Sequence, residues 1–342
     1  MKALFARLAL ALFLLAGPPA RAEVLAVRAI GLTVADLDRT ERFYRDTLDF
    51  RTVARKHLRD PSLIALFGLP AEAPAEAPAE AMDVLTMQLG DQRVEFTQFE
   101  RPGRPYPADS RSPDLWFQHF AIVVSDMDTA YARVRAAGVR PISLAGPETL
   151  PEQTGRVRAF KFRDLDGHPL ELLWFPPGQG RAIWHQRDGL FLGIDHSAIA
   201  VAATDASLTF YHDLLRLRVA YAVTNQGPTQ DRLDGVAGAV VRITGLEPAA
   251  PDPPGIEFLD YRRPATGRPA VDVHADDLVH AHLTLVVDDL ARILASPGLR
   301  RQPCRSVATT PEICSASILD PDGHVVVLEQ VVPAPSSSAS GQ

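Results

Sequence analysis

Three histidines stand at matching places in a repeated pattern. His119 lies in "FQHFAIVVSDMDTAYARVRAAG", His196 opens "HSAIAVAATDASLTFYHDLL", and His282 opens "HLTLVVDDLARILASPG". Three glutamates recur as well: Glu95 in "RVEFTQF", Glu171 in "PLELLW" and Glu257 in "IEFLDY". Imidazole nitrogen and carboxylate oxygen are side-chain donors that hold divalent metals and move protons. A single histidine in an apolar run is ordinarily a hydrogen-bonded core residue, and a single glutamate in "LELL" can simply face water. Six such residues at equivalent places of a repeat require a common account, so the repeat has to be read before the site.

The repeating unit is strand, cap, helix. Phe120 to Val124 is an apolar run, Asp126 stands where a helix N-cap belongs, Asp128 adds negative charge to the first turn, and Gly138 sits where helices stop. The same order begins at Ala29, at His196 and at His282. Strand-like runs follow each unit, giving four β-α-β-β-β modules at about 24–99, 115–175, 192–261 and 278–332. Phe43-Tyr44 and Phe210-Tyr211, Glu95 and Glu257, and His119 and His282 recur at nearly constant spacing, so the second half duplicates the first. The expected domains are therefore 23–175 and 191–332, joined by a linker at 176–190. "PAEAPAEAPAEA" (70–81) is a low-complexity surface loop, and 333–342 reads as a disordered tail.

The 342 residues are enough for about two domains. A net charge of −7 offers no basic patch, which argues against nucleic acid and anionic membrane partners. Residues 1–22 read as a secretory signal peptide, with Lys2 and Arg7 before a short apolar run, Pro18-Pro19 after it, and Ala20-Arg21-Ala22 as the cleavage site. Export to the periplasm or beyond is the expectation, with no membrane attachment after cleavage. Cys304 and Cys314 flank a short hairpin tip, and in an oxidising compartment they are expected to pair. No dinucleotide fingerprint, nucleophile elbow, phosphate loop or zinc-protease helix is present.

A repeat of this kind, with a polar residue in the first strand and "DGHPLELL" in the last, resembles the vicinal oxygen chelate superfamily of glyoxalases, bleomycin-resistance proteins and extradiol dioxygenases. The resemblance implies an α+β fold in which pairs of modules curl into cupped mixed sheets flanked by helices. It also implies a divalent metal (Zn, Ni, Mn or Fe) held by one ligand from the first strand and one from the last strand of each module. Carried across, the first-strand positions are Ala29, His119, His196 and His282, and the last-strand positions are Glu95, Glu171, Glu257 and Val327. Ala29 and Val327 depart from the pattern. Glu329 shares the strand face of Val327 but lies one pleat repeat further on.

Two module pairings remain open on the sequence. If each half closes on itself, one cup holds Ala29, Glu95, His119 and Glu171, and the other holds His196, Glu257, His282 and Val327. If the modules exchange, modules two and three assemble His119, Glu171, His196 and Glu257. His119 and Glu171 share a cup either way. The function implied is a metal-dependent lyase, isomerase or dioxygenase acting on a small oxygen-bearing molecule, as a monomer or homodimer. Glutathione-dependent chemistry is disfavoured by export. The alternatives are a metal-free ligand-sequestering protein and a scaffold with degenerate sites. His168 and His324 follow glycine in D-x-D-G turns and read as structural, His280 as a neighbour of His282, and Phe43-Tyr44 and Phe210-Tyr211 as core. Arg101, Arg104, Arg263 and Arg268 in the inter-module links are candidates to clamp an anionic substrate.

Overall fold

The computed structural model describes residues 22–59, 66, 81–116, 118–250, 252–265, 267–270, 272–299, 307–310 and 313–331. The signal peptide apart from Ala22, nearly all of the low-complexity loop, Cys304 and the tail lie outside these residues. The expected disulfide therefore falls on a residue outside the description.

Module one runs β1 (Val24–Thr33), α1 (Leu37–Leu48), β2 (Arg51–Leu58), β3 (Met82–Leu89) and β4 (Gln92–Phe99). Module two runs β5 (Gln118–Val124), α2 (Met127–Ala136), the short β6 (Arg140–Pro141) and β7 (Glu148–Thr149), then β8 (Arg158–Arg163) and β9 (Pro169–Trp174). Module three runs β10 (Phe191–Ala200), a helix that begins at Thr204–Leu208 and widens to π geometry over Thr209–Leu214, and β11 (Arg218–Gln226). It continues with a helix at Pro228–Asp234, β12 (Val240–Glu247) and β13 (Gly255–Arg263). Module four runs β14 (Ala281–Val287), a helix at Leu290–Leu294, β15 (Val307–Thr310), β16 (Ile313–Leu319) and β17 (Val325–Val331). No helix among the described residues is long and apolar enough to cross a membrane.

The local signals act as physical chemistry requires. Asp36 and Asp126 accept the backbone N–H of Arg39 and Thr129, each supplying one of the donors a helix start leaves unpaired. Gly138, at φ +77°, takes the left-handed conformation just after the end of α2. In β5 every residue is buried, so both faces of the strand are covered. Phe120, Ile122 and Val124 join the main core on one face, and period-two alternation turns His119, Ala121 and Val123 to the other.

The pairing between modules is the exchanged one. β1 lies antiparallel to β14, so modules one and four share an eight-stranded sheet in the order β15-β16-β17-β14-β1-β4-β3-β2. β10 lies antiparallel to β5, so modules two and three share a nine-stranded sheet in the order β11-β12-β13-β10-β5-β9-β8-β6, with β7 beside β8. Within each module the first strand runs parallel to the last: Ala121 sits beside Glu171 and Ala198 beside Glu257. That register sets each histidine two residues before the partner of its glutamate. The main core takes residues from both sheets, including Phe96, Phe160, Phe258 and Leu328, with Tyr44 and Tyr211 fully buried.

The two D-x-D-G turns fasten the modules together. Asp164 accepts the backbone N–H groups of Asp166, Gly167 and His168, and the Tyr44 hydroxyl at 3.0 Å. The His168 ring has Asp164 at 2.9 Å on Nδ1, and the carbonyls of Thr33 and Leu278, each at 2.9 Å, on Nε2. Module four repeats the device: His324 Nδ1 meets Asp320 at 2.8 Å, Nε2 meets the Leu115 carbonyl at 2.6 Å, and the Tyr211 hydroxyl donates to Asp320 at 3.3 Å. The repeated order "DLDGH" and "DPDGH" is thus a structural clasp, and Phe43-Tyr44 and Phe210-Tyr211 are core.

Candidate metal centre

The nine-stranded sheet brings His119, Glu171, His196 and Glu257 into one cup. His119 Nε2 lies 3.1 Å from Glu171 Oε2, and His196 Nε2 lies 3.9 Å from the same oxygen and 3.2 Å from Glu257 Oε2. Ligand-capable atoms of His119, Glu171 and His196 all fall within 4.8 Å of one another, and all three residues are buried. Each residue comes from a different strand, so the sheet pairing itself assembles the set.

The electrostatics follow from burial and charge. Burial alone would raise the Glu171 carboxyl, but Lys161, together with His119 and His196, more than offsets it and holds the group at about 2. Burial would depress the His196 imidazole, yet Glu257, Asp195 and Glu171 surround it and push it up to about 9. His119 is moved the other way, chiefly by burial. Asp195 Oδ2 faces His196 Nδ1 at 3.0 Å, and Trp184 Nε1 donates to Asp195 Oδ1 at 2.7 Å, so the imidazole orientation is fixed from behind. His196 Nε2 is buried and makes no hydrogen bond among the described residues, although two carboxylates lie near it. Two imidazoles and a carboxylate around such an atom suit a divalent ion of the zinc, nickel, manganese or iron type.

The site opens into a cavity of about 640 Å³. Its wall includes Lys161, Arg181, Tyr221, Asn225 and Gln230 with apolar Leu173, Phe175 and Leu233. The Tyr221 hydroxyl donates to Glu257, and the ring lies against Gly245, where any side chain would collide with it. The helix at Pro228–Asp234 supplies Gln230, Leu233 and Asp234 to this side of the sheet. Sequence reasoning passed over Lys161, Asp195, Tyr221 and Asp234. Lys161 had a signal: in "RAFKFR" period-two alternation sets it apart from Phe160 and Phe162, on the face that carries Glu171 from the next strand.

The other predicted residues are in the second cup, where no equivalent cluster forms among the described residues. Arg28 lies between Glu95 and Glu329, with Nη1 3.3 Å from Glu95 and Nε 2.6 Å from Glu329. A guanidinium therefore bridges the two carboxylates that flank this sheet's seam and offsets one of their two charges. Val327 packs with Val325 and Leu66, so the apolar departure serves a small apolar cluster. His282 lies directly over Gly31, where a Cβ would overlap its ring, and burial pushes its imidazole well down. His280 is 3.4 Å from the Thr33 hydroxyl. Gly31→Val is accordingly expected to displace His282 and destabilise the fold by about 1–3 kcal/mol. Urea unfolding of the two proteins checks this, and an unchanged midpoint would contradict the packing described.

The link arginines do not line the cavity. Arg104 forms a two-point pair with Asp277, its closest contact 2.6 Å, and Arg268 a matching pair with Asp114, at 2.8 Å. Both tie one link to the other. Their geometry is that of a staple between modules, because each carboxylate is buried and already engaged from two sides.

The family model for the Glyoxalase/Bleomycin resistance protein/Dioxygenase superfamily matches residues 26–172 and 193–328. Among solved structures, glyoxalase I from Zea mays is similar at a TM-score of 0.57 and 16% identity, covering 90% of this chain and 92% of that one. A putative dioxygenase from Bacillus subtilis is similar at a TM-score of 0.55 and 12% identity, covering 92% of this chain and 87% of that one. At such identities the likeness speaks for the fold. A comparison with curated protein sequences finds no match.

Proposed function

The chain belongs to the glyoxalase, bleomycin-resistance and dioxygenase superfamily, and from that premise we propose that it is a divalent-metal-dependent enzyme whose single working cup is formed by modules two and three. His119, Glu171 and His196 hold the metal. A bound divalent ion would act as a Lewis acid on neighbouring oxygens of a small substrate. The observation that carries the reading is the buried, unbonded His196 Nε2 at the convergence of three ligand-capable side chains.

Glu257 has a different role in this proposal. It lies outside the tight three-residue cluster and accepts from the Tyr221 hydroxyl, with its other oxygen 3.2 Å from His196 Nε2. A carboxylate held beside a chelated substrate is placed to take a proton from a carbon next to the polarised oxygens and return it elsewhere. The Tyr221 hydroxyl orients that carboxylate. This favours proton-transfer chemistry of the isomerase or lyase class over ring cleavage. The substrate is a small molecule with adjacent oxygens.

Metal content of untagged protein tests the proposal. About one equivalent per chain is expected after expression with zinc, nickel, manganese and iron supplied. Protein that stays metal-free under those conditions would favour the ligand-sequestering alternative. Oxygen uptake separates the reaction classes, since proton transfer consumes no dioxygen.

Export belongs to the same proposal. The charged start, the apolar run and Ala20-Arg21-Ala22 support cleavage before Glu23. Intact-mass measurement of periplasmic protein should show loss of residues 1–22. Recovery of the full chain from the cytoplasm would overturn it.

A further inference from the structure

A near-twofold relation between β5 and β10 pairs His119 with His196 and Glu171 with Glu257. The same relation pairs their cross-strand neighbours, and there the symmetry fails. Lys161 lies opposite Glu171, whereas Gly245 lies opposite Glu257. In the other sheet the equivalent positions are Thr86, opposite Glu95, and Ser317, opposite Val327. Of these four positions only Lys161 carries charge.

Lys161 is nearly fully buried, its side chain 5% exposed, and it lines the cavity. Lysine is rarely so buried unless it is paired. Its partner is Asp234, whose Oδ1 accepts from Nζ at 2.8 Å. The other oxygen of Asp234 accepts from Tyr261 at 2.8 Å and from Gln230 at 2.7 Å. That carboxylate is fully engaged and fixed. An ammonium has three donors, and Asp234 uses one. Held by the Asp234 carboxylate, the ammonium is a donor and not a base.

A buried ion pair gives little net stability compared with apolar side chains of the same size, so packing alone does not account for an ammonium here. The same cavity wall carries apolar Leu173 and Leu233. Arg181, also in the wall, is engaged by Glu247 at 3.0 Å and by Asp195 at 3.6 Å.

We propose that Lys161 is the anion-recognising group of this cavity, and that the ligand is a small organic acid whose carboxylate meets the ammonium while its adjacent oxygens face His119, Glu171 and His196. The inference rests on the metal-centre reading for the second half of that statement only. Lys161 gives the cup a direction: the anionic end lies on the Glu171 side, and the reacting carbon is turned toward Glu257 and Tyr221.

The test uses two probes that differ in one carboxylate, 3,4-dihydroxybenzoate and catechol, titrated calorimetrically into the full mature chain loaded with zinc. The wild-type protein should bind the benzoate at least about tenfold more tightly, as expected for a charge-assisted contact. Lys161→Met/Asp234→Asn removes both charges without stranding a carboxylate and should bring the two probes to within about twofold of each other. Lys161→Arg should keep most of the preference and serves as the second variant if the double one folds poorly, which thermal melting reports. No preference in the wild type, including no binding of either probe, overturns the proposal. So does a preference that survives the double substitution. Repeating the titration after chelation separates the two readings: a charge preference that persists without bound metal keeps the Lys161 assignment, and a catechol affinity unchanged by chelation removes the metal-centre one.

Discussion

His119→Ala is expected to reduce affinity for zinc or nickel by on the order of 100-fold or more, since even outer partners of a metal ligand are worth 10–100-fold. Glu171→Ala should do the same. The reason is geometric. His119, Glu171 and His196 bring ligand atoms within 4.8 Å of one another from three strands, so loss of one removes a third of the set. Glu95→Ala should leave metal binding unchanged, because Glu95 lies in the other sheet and faces Arg28. Glu257→Ala should weaken binding less than Glu171→Ala while removing activity, if Glu257 moves the proton. Metal content after equilibrium dialysis, with thermal melting as a check on folding, measures all four. A His119→Ala protein with undiminished metal would show that the site lies elsewhere.

The residues of this cup show what was readable in advance. The repeat, the caps at Asp36 and Asp126 and the exit at Gly138 are local, and local chemistry is written in adjacent residues. His119, Glu171, His196 and Glu257 were identifiable because period-two alternation and module equivalence fix the face on which each lies. The pairing of modules was not readable. Both links have similar composition, and the choice between the two closures is made by the edges of β1, β5, β10 and β14, whose apolar residues would suit either partner. Two ion pairs in the links, Arg104 with Asp277 and Arg268 with Asp114, hold the exchanged arrangement, and each pair joins residues about half a chain apart. Those arginines looked like substrate clamps for the same reason that they are staples: they are planar donors beside tight turns, and only the fold supplies their partners. Glu329 illustrates the limit in the opposite direction. It sits one pleat repeat from the ligand position, yet with Arg28 it completes an internal ion pair, a role that no spacing rule anticipates.

His324→Ala is expected to cost roughly 3 kcal/mol of stability at pH 6 and far less at pH 9.5. Burial would lower the His324 imidazole, but Asp320, then Asp322 and the Leu115 carbonyl, outweigh it and push the group up to about 9. In the unfolded chain a histidine titrates near 6.5. The group's folded value is raised, so its contribution is fully present below about 6.5 and fades as the pH rises through about 9. Both ring nitrogens face oxygen, Asp320 on one side and the Leu115 carbonyl on the other, so the imidazolium alone donates at both. Loss of the proton leaves one of those oxygens facing a bare nitrogen inside the clasp. His168 is shifted in the same direction, with burial opposing and Asp164 and Asp166 prevailing, so His168→Ala should act in the same sense. Urea unfolding at pH 6 and pH 9.5 for wild type and both variants measures the difference. Wild-type stability should fall between the two pH values by more than that of either variant. Parallel losses in all three proteins would mean that the clasp imidazoles are neutral in the folded state. Because the His324 ring holds the Leu115 carbonyl just ahead of β5, the strand that carries His119, metal affinity should also weaken in His324→Ala at pH 6, by less than the loss on removing His119.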